Sequence, residues 1–325
     1  MELFVLIIGC GNIGSYFDEK KDNSLPCTHA GAYHLDQRFK IVACVEPDKL
    51  RREEFMRYWN VEFGFSTLNE IDISIFNFDI ISICSPTKYH YQDLQIALEF
   101  HPKVIFCEKP MTTSLKDSQN IVYECKKRNI LLAINYTRSW DPSVLQLKKD
   151  ILSNKWGELR SMSGIYNKGV LNNGSHMLDL IYNIVKDIKL ISVGKAVFDF
   201  FEDDPTVPVF LESASSVPIQ LATAHARDYA LFELQFIFSK GVLTMEEGGF
   251  TWRTRKVEPS QTFSGYNLLN KGIFNKGMYE QAMSLAVDNI YNAISYDEPL
   301  FKTGQDALRV QSLCEQIKTM ALTNG

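Results

Sequence analysis

The feature that most constrains this chain is an apolar run, Leu3 to Ile8, that leads straight into Gly9, Gly11 and Gly14 of "GCGNIG". A strand-length apolar segment followed by Gly-x-Gly-x-x-Gly and a helical pattern restricts the opening to a strand, a turn and a helix. The first glycine permits the tight turn, the second lets backbone approach a pyrophosphate, and the third allows the helix to pack close to the strand. Asn12 and Ile13 complete the loop, and the helix N-terminus that follows faces the anion.

The pattern around this loop repeats. ELFVLII, KIVACV, FDIISIC, KVIFC and ILLAIN read as strands, and residues 28–36, 48–58, 88–100 and 114–128 as helices between them. Ser114 is a candidate N-cap, with Asp117 three residues on. Continuous apolar strands alternating with helices predict an α/β domain with a doubly wound parallel sheet covered on both faces. The stretch "SYFDEKKDNSLPCTHAGAY" interrupts the first helix; Asp18 to Asp22 reads as a charged, solvated loop, and Thr28 restarts a helix.

Beyond about residue 140 the rhythm changes. LRSMSGIY, IQLATAHA, YALFELQFIF and GVLTMEE have the character of longer, half-exposed strands, which suits an open, largely antiparallel sheet in an α+β domain with one face free to pack. Helices are expected at 142–153, 173–186, 278–296 and 304–322. The division is residues 1–136 and residues 137–325, in keeping with a length of 325 residues, too great for one small core.

The bulk properties narrow the partners. A net charge of −5 with no basic run removes the electrostatic footprint for nucleic acid or an anionic membrane, leaving a small molecule. No stretch of 18 apolar residues is present, and the N-terminus has a short apolar core without a basic lead-in, as expected of a buried strand. The seven cysteines form no CxxC pair, and Cys44, Cys84 and Cys107 sit in apolar runs, which points to a reducing, cytoplasmic compartment.

Two further runs carry chemistry. Glu46 closes the second strand, where an acidic side chain accepts from ribose hydroxyls and repels a 2′-phosphate; this favours NAD, with Arg51 and Arg52 near enough to keep NADP in view. "CEKPMTTS" places Glu108, Lys109 and Pro110 after a buried strand, so Lys109 is held extended at the sheet edge where ligands of open α/β folds bind. A lysine there stabilises charge developing on a substrate oxygen. "GVLNNGSHMLD" sets His176 and Asp179 on one helical face; as metal ligands they are an incomplete pair, so no metal is expected.

GCGNIG, Glu46, "CSPTKYH" with Ser85, Pro86, Thr87 and His90, "EKP" at 108–110 and Gly174-x-His176-x-x-Asp179 stand in the order and approximate spacing of the glucose–fructose oxidoreductase, inositol dehydrogenase and rhizopine-catabolism (Gfo/Idh/MocA) family, which the whole chain resembles. The resemblance implies an N-terminal Rossmann domain, a C-terminal α+β domain used for oligomer contacts (a dimer or tetramer), and a last helix, 304–322, packed back on the first domain. It implies that Ser85, Pro86, Thr87 and His90 line the nicotinamide end of the cofactor, that Glu108 and Lys109 contact nicotinamide ribose and substrate, that Asn135 lies near the same floor, and that His176 faces substrate. His176 is then the proton acceptor, since imidazole titrates near neutrality.

Inositol dehydrogenase-like members carry Asp four residues before this histidine; here the residue is Asn172, whose amide is neither acid nor base. Asn-x-Gly-x-His is similar to members acting on nucleotide-linked sugars of surface polysaccharides. The expected activity is an NAD(P)-dependent oxidoreductase acting on a sugar or sugar-nucleotide hydroxyl or ketone. The alternatives are an inositol or polyol dehydrogenase, a redox-neutral enzyme that recycles NAD in elimination, glycosidic cleavage or epimerisation, and, last, a dinucleotide-binding regulator. Arg138, Trp140, Tyr166 and Lys168 are candidates for a stacking and anion-binding wall beside Asn172 and Asp179. His29, His34, His101 and His225 have no motif support.

Overall fold

A computed structural model describes residues 2–19 and 25–323. The chain divides into two units, Met1–Trp140 with Glu280–Arg309 and Asp141–Tyr279 with Val310–Gly325.

The first unit is built on six parallel strands, β1 (Leu3–Ile8), β2 (Phe39–Val45), β3 (Phe63–Phe65), β4 (Ile80–Ile83), β5 (Val104–Cys107) and β6 (Leu131–Ile134), in the order β3-β2-β1-β4-β5-β6. This is the doubly wound order, and the crevice at its switch point lies beyond the carboxyl ends of β1 and β4. β4 and β5 are buried along their whole length, which is why they read as unbroken apolar runs. β3, "FGF", is three residues long and pairs with β2 at the edge of the sheet.

The intervening helices are α1 (Phe17–Glu19), α2 (His29–Leu35), α3 (Lys49–Trp59), α4 (Thr87–Glu99) and α5 (Leu115–Lys127). Three of these helices are capped by side-chain oxygens: Thr28 accepts from the Gly31 N–H at α2, Asp48 from Arg51 at α3 and Ser114 from Asp117 at α5. The first helix is interrupted as expected, with a π-turn at Asn12–Tyr16 before α1 and a restart at α2. Asp18, however, is no solvated loop residue. It is buried, and its carboxylate accepts from the N–H groups of Cys27 and Thr28 and from the Thr28 hydroxyl at 2.6 Å, closing the base of the insertion. Asp22 lies outside the described residues.

The second unit opens with α6 (Pro142–Leu152), capped by Asp141, followed by β7 (Leu159–Tyr166), α7 (Ser175–Val185), β8 (Ile188–Val193), β9 (Val209–Ser213), β10 (Pro218–Thr223), β11 (Phe232–Phe238), β12 (Gly241–Glu246), β13 (Thr251–Pro259), β14 (Asn267–Leu269) and β15 (Ile273–Lys276). The order is β14-β13-β12-β11-β7-β10-β9-β8, with β15 on β13. β10 runs parallel to β7 and the other pairs are antiparallel, so the sheet is mixed and mostly antiparallel. Along β11, Phe232, Leu234, Phe236 and Phe238 are buried while Glu233, Gln235 and Ile237 between them are half-exposed, the alternation of a sheet packed on one face.

Two expected strands shrink. The run expected over 219–226 ends at Thr223, and His225 lies beyond it, its Nδ1 accepting from the Arg227 N–H. The run expected from 229 begins at Phe232, because Asn167 takes the Tyr229 carbonyl and the Leu231 N–H away from any ladder. α8 (Ala282–Tyr296) belongs to the first unit. α9 (Gly304–Thr323) is divided, residues 304–309 grouping with the first unit and the rest with the second. Among the described residues no helix is long and apolar enough to cross a membrane.

Candidate active site

The glycine loop is shaped from both sides. Gly9 has φ +90°, and a Cβ there would collide with the backbone of Cys84 and Ser85 just past β4. At Gly14 a Cβ would strike the Gly9 carbonyl oxygen, so the first turn after the loop packs directly on β1. Gly11 is different, because nothing lies within 4 Å of a Cβ built on it. Two glycines are thus demanded by packing, and the middle one faces open space where a pyrophosphate could approach backbone.

Charged residues from α3 and β2 hold this loop. Glu46, just past β2, accepts from the Cys10 N–H at 3.0 Å and the Asp48 N–H at 3.1 Å. Arg51 donates to the Cys10 carbonyl at 2.5 Å, to Ser15 Oγ at 3.0 Å and to the Glu19 carboxylate, and Trp59 Nε1 donates to Ser15 Oγ at 2.7 Å. Burial pushes the Glu19 carboxyl up, but Arg51 and Ser15 together hold it below the ordinary carboxylate value. Arg51 is therefore occupied in bracing the loop.

At the switch point, "CSPTKYH" leaves β4 and enters α4. Ser85 Oγ donates to Asp93 at 2.5 Å, and burial raises the Asp93 carboxyl. His90 is buried with both ring nitrogens against carbonyls, Nε2 to Ser85 at 2.7 Å and Nδ1 to Pro110 at 3.0 Å. It ties the turn after β4 to the turn after β5. Glu108, Lys109 and Pro110 form that second turn; Glu108 is largely buried, Lys109 is half-exposed, and the Lys109–Pro110 peptide is cis. Glu108 Oε1 accepts from Asn135 Nδ2 at 2.6 Å and lies 3.1 Å from His29 Nε2, while Oε2 accepts from the Lys109 N–H at 3.3 Å. Burial raises the Glu108 carboxyl, but His29, Asn135 and Lys109 pull it below its usual value. Asn135 thus stands beside Glu108, and His29, without motif support, is a second side-chain partner of that carboxylate.

In the second unit, residues 167–174 turn through a left-handed Lys168 (φ +65°) and Gly169 (φ +84°) into a π-turn that leads into α7. Two aspartates far along the chain hold it. Asp199 Oδ2 accepts from the Lys168 N–H, and Asp204 accepts from the Leu171 N–H at 2.9 Å and the Asn172 N–H at 2.8 Å. Burial raises the Asp204 carboxyl despite these bonds. Asn172 Nδ2 donates to the Lys168 carbonyl at 3.1 Å. His176, on the first turn of α7, is half-buried, and Asp179 is buried with Oδ2 accepting from Asn183 Nδ2 at 3.3 Å.

Two expected substrate-wall residues have no face to offer. Trp140 is fully buried, its Nε1 donating to Asn289 Oδ1 at 3.1 Å and its ring edge-on to Phe106. Tyr166 is 1 % exposed and donates to the Val207 carbonyl at 2.7 Å. An aromatic whose polar tip is satisfied inside the core is packing, not a stacking platform. Arg138 is half-buried, and the Lys168 ammonium lies 5.4 Å from the Phe200 ring centre. Among the described residues, no group of three or more His, Cys, Asp or Glu side chains could hold a metal ion.

Residues 3–136 match the model of the Gfo/Idh/MocA oxidoreductase family, NAD-binding Rossmann fold. The open backbone at Gly11 and the helix N-terminus behind it fit the dinucleotide that such a domain binds. A curated relative, myo-inositol 2-dehydrogenase of Thermotoga maritima, is 30 % identical over 145 residues, 45 % of this chain and 39 % of that one, so the match spans well under half of the relative's length. The fold extends over the whole chain. An NAD binding oxidoreductase from Klebsiella pneumoniae superposes with a TM-score of 0.81 at 15 % identity, covering 100 % of this chain and 98 % of that one. UDP-N-acetylglucosamine 3-dehydrogenase from Acidithiobacillus ferrooxidans gives 0.72 at 15 % identity over 98 % of each.

Proposed function

We propose that the protein is an NAD-dependent oxidoreductase that acts on a hydroxyl, or the matching ketone, of a sugar or nucleotide-linked sugar. The observation that carries the reading is the Glu108–Lys109–Pro110 turn, which puts a half-exposed lysine at the carboxyl edge of the dinucleotide-binding sheet, two strands from the glycine loop with β4 between them. Gly9, Gly11, Asn12, Ile13 and Gly14 cradle the pyrophosphate, Glu46 takes the adenosine ribose, and Ser85, Pro86 and Thr87 border the nicotinamide, with buried His90 holding their turn through the Ser85 and Pro110 carbonyls. When bound, the nicotinamide supplies the hydride acceptor or donor.

Lys109 places its ammonium on the reacting oxygen and stabilises alkoxide character as the carbon–hydrogen bond breaks. His176 takes the hydroxyl proton in oxidation and returns it in reduction. NAD is preferred to NADP, because Glu46 repels a 2′-phosphate, Arg51 is committed to Glu19, Ser15 and the Cys10 carbonyl, and Arg52 donates to the Glu46 carbonyl. The nucleotide-sugar preference rests on Asn172. Its amide already donates to the Lys168 carbonyl, so the position supplies neither an acid nor a base and shapes the wall that His176 emerges from.

The test is a panel of nucleotide sugars, free sugars and inositols with NAD and with NADP, read as reduced nicotinamide and as keto product. The expected result is oxidation of a nucleotide sugar with NAD at least about tenfold better in kcat/KM than of any inositol, one tenfold step being about 1.4 kcal/mol of transition-state preference. Preference for an inositol overturns the substrate class. Product without reduced nicotinamide overturns the net redox reaction.

A further inference from the structure

A buried histidine that no motif predicted stands behind the lysine turn. His29, the first residue of α2, is 0 % exposed, with its ring against Phe106. Nε2 lies 3.1 Å from Glu108 Oε1 and Nδ1 lies 3.3 Å from Ser82 Oγ, which in turn is 2.9 Å from the Tyr33 hydroxyl. We propose that His29 is a positioning residue for the proposed reaction: it holds Glu108 as a carboxylate under the Lys109 backbone, and Ser82 and Tyr33 select the ring nitrogen that carries the proton. The inference rests on the role given to Lys109 above.

With a neutral imidazole, a proton on Nε2 satisfies the contacts to Glu108 and Ser82, and Asn135 Nδ2, 3.4 Å from the same nitrogen, gives its hydrogen to Glu108 instead. A carboxylate only accepts, so Nε2–H must donate to Glu108. Nδ1 is then the acceptor, and Ser82 must turn its hydroxyl toward it. Ser82 in turn accepts from Tyr33, whose phenol is pushed well above its usual range by burial and so keeps its proton. The donors run one way, from Tyr33 through Ser82 and His29 to Glu108. Because Tyr33 and Ser82 are fully buried, the chain is a dead end for protons and cannot relay them to solvent. Its outlet is orientation and charge at Glu108, the partly exposed end, with 12 % of its side chain accessible.

The groups facing Glu108 agree with this. Asn135 beyond β6 donates to the same oxygen as His29, and the Lys109 N–H donates to the other. The Cys84 and Cys107 thiols nearby are pushed up by burial and bring no charge. Burial alone would favour a neutral Glu108, and His29 heads the interactions that overcome it. Without the imidazole the carboxyl takes up a proton at higher pH, and a protonated Glu108 is a different partner for the Lys109 turn and for a cofactor lying over it.

The experiment compares His29→Gln, which keeps one donor and one acceptor, with His29→Leu, which keeps bulk alone. Glutamate labelled with 13C at its side-chain carboxyl reports the Glu108 titration, assigned by the signal lost in Glu108→Gln; NADH affinity is measured across the same pH range. In His29→Leu the Glu108 titration is expected to rise by about one pH unit or more, the size of effect a lost charge-stabilising partner produces, and the acid limb of NADH binding rises with it. His29→Gln is expected to stay near the parent. A folded His29→Leu with an unmoved Glu108 titration overturns the proposal, and so does a moved titration with an unmoved NADH acid limb. Should His29→Leu fail to fold, Ser82→Ala is expected to shift both in the same direction by less, and no shift there overturns it. Neither readout needs a substrate, so absence of sugar oxidation would count against the oxidoreductase reading alone.

Discussion

The two halves of the proposed chemistry are held by carboxylates in opposite electrostatic situations. In the first unit Glu19 and Glu108 each meet side-chain donors, Arg51 with Ser15 and His29 with Asn135, and both carboxyls sit below their ordinary value. In the second unit Asp204 grips the segment before His176 through two backbone N–H groups, and burial leaves its carboxyl above the ordinary value. The cofactor side is braced by charge. The His176 side is braced by a carboxylate that costs the fold something to ionise. Acid should therefore loosen the first and not the second.

The largest effects separate the two sides by chemistry. Lys109→Met and His176→Ala are each expected to lower kcat about a hundredfold or more, the range for a lost oxyanion donor or a lost general base, while NADH affinity stays within about threefold. Steady-state kinetics with NADH titration checks both; a variant turning over at the parent rate removes its side from the chemistry.

The glycine loop sharpens the contrast between packing and binding. Gly14→Ala forces a methyl onto the Gly9 carbonyl and should cost about 1–3 kcal/mol in urea denaturation. Gly11→Ala meets only open space, so stability should hold within about 0.5 kcal/mol. Its NADH affinity should still fall about tenfold or more, because the methyl stands where backbone must approach pyrophosphate. Equal effects of the two on stability would contradict the assignment of Gly11.

In the second unit, Asp204→Ala leaves the Leu171 and Asn172 N–H groups without their acceptor. The expected loss is about 1–2 kcal/mol by denaturation, with faster amide exchange at those two positions. The smallest effect is in the pH dependence. Glu19, with a folded value below 4.5, contributes stability that is complete above that pH and is lost as pH falls through the folded value. Asp204, with a folded value above 3.8, behaves in reverse: the folded state takes its proton first, and the cost of ionisation vanishes as pH falls. Glu19→Gln should flatten the acid side of the stability curve and Asp204→Asn should steepen it, each by under about 1 kcal/mol, as suits a partly screened pair. Changes of the same sign in both would break the comparison.

The same contrast explains what could be read in the chain. Gly9, Gly11, Glu46, Glu108, Lys109 and Asn135 lie at strand ends, and a buried parallel sheet makes its strands unbroken apolar runs, so their positions follow from the sequence. β3 escaped because three residues paired on one side carry too little pattern. Asp18 was misread because a carboxylate in a run of charges looks solvated until Cys27 and Thr28 are seen to fold back over it. Asp199 and Asp204 were not legible at all, since nothing local couples them to residues about thirty positions earlier. Trp140 and Tyr166 read as a wall in the sequence, because aromatic residues near a motif look the same there whether they face a ligand or the core. β8 and β13 were missed because their exposed and half-exposed residues blur the alternation.

Hydride transfer itself can be followed directly. A nucleotide sugar carrying deuterium on the carbon to be oxidised, incubated with the protein and NAD, is expected to yield reduced nicotinamide bearing that deuterium together with the keto sugar, and Lys109→Met should leave both undetected on the same timescale. Deuterium that stays on the sugar, or product that forms while all the nicotinamide remains oxidised, would contradict a net transfer of hydride from sugar to cofactor.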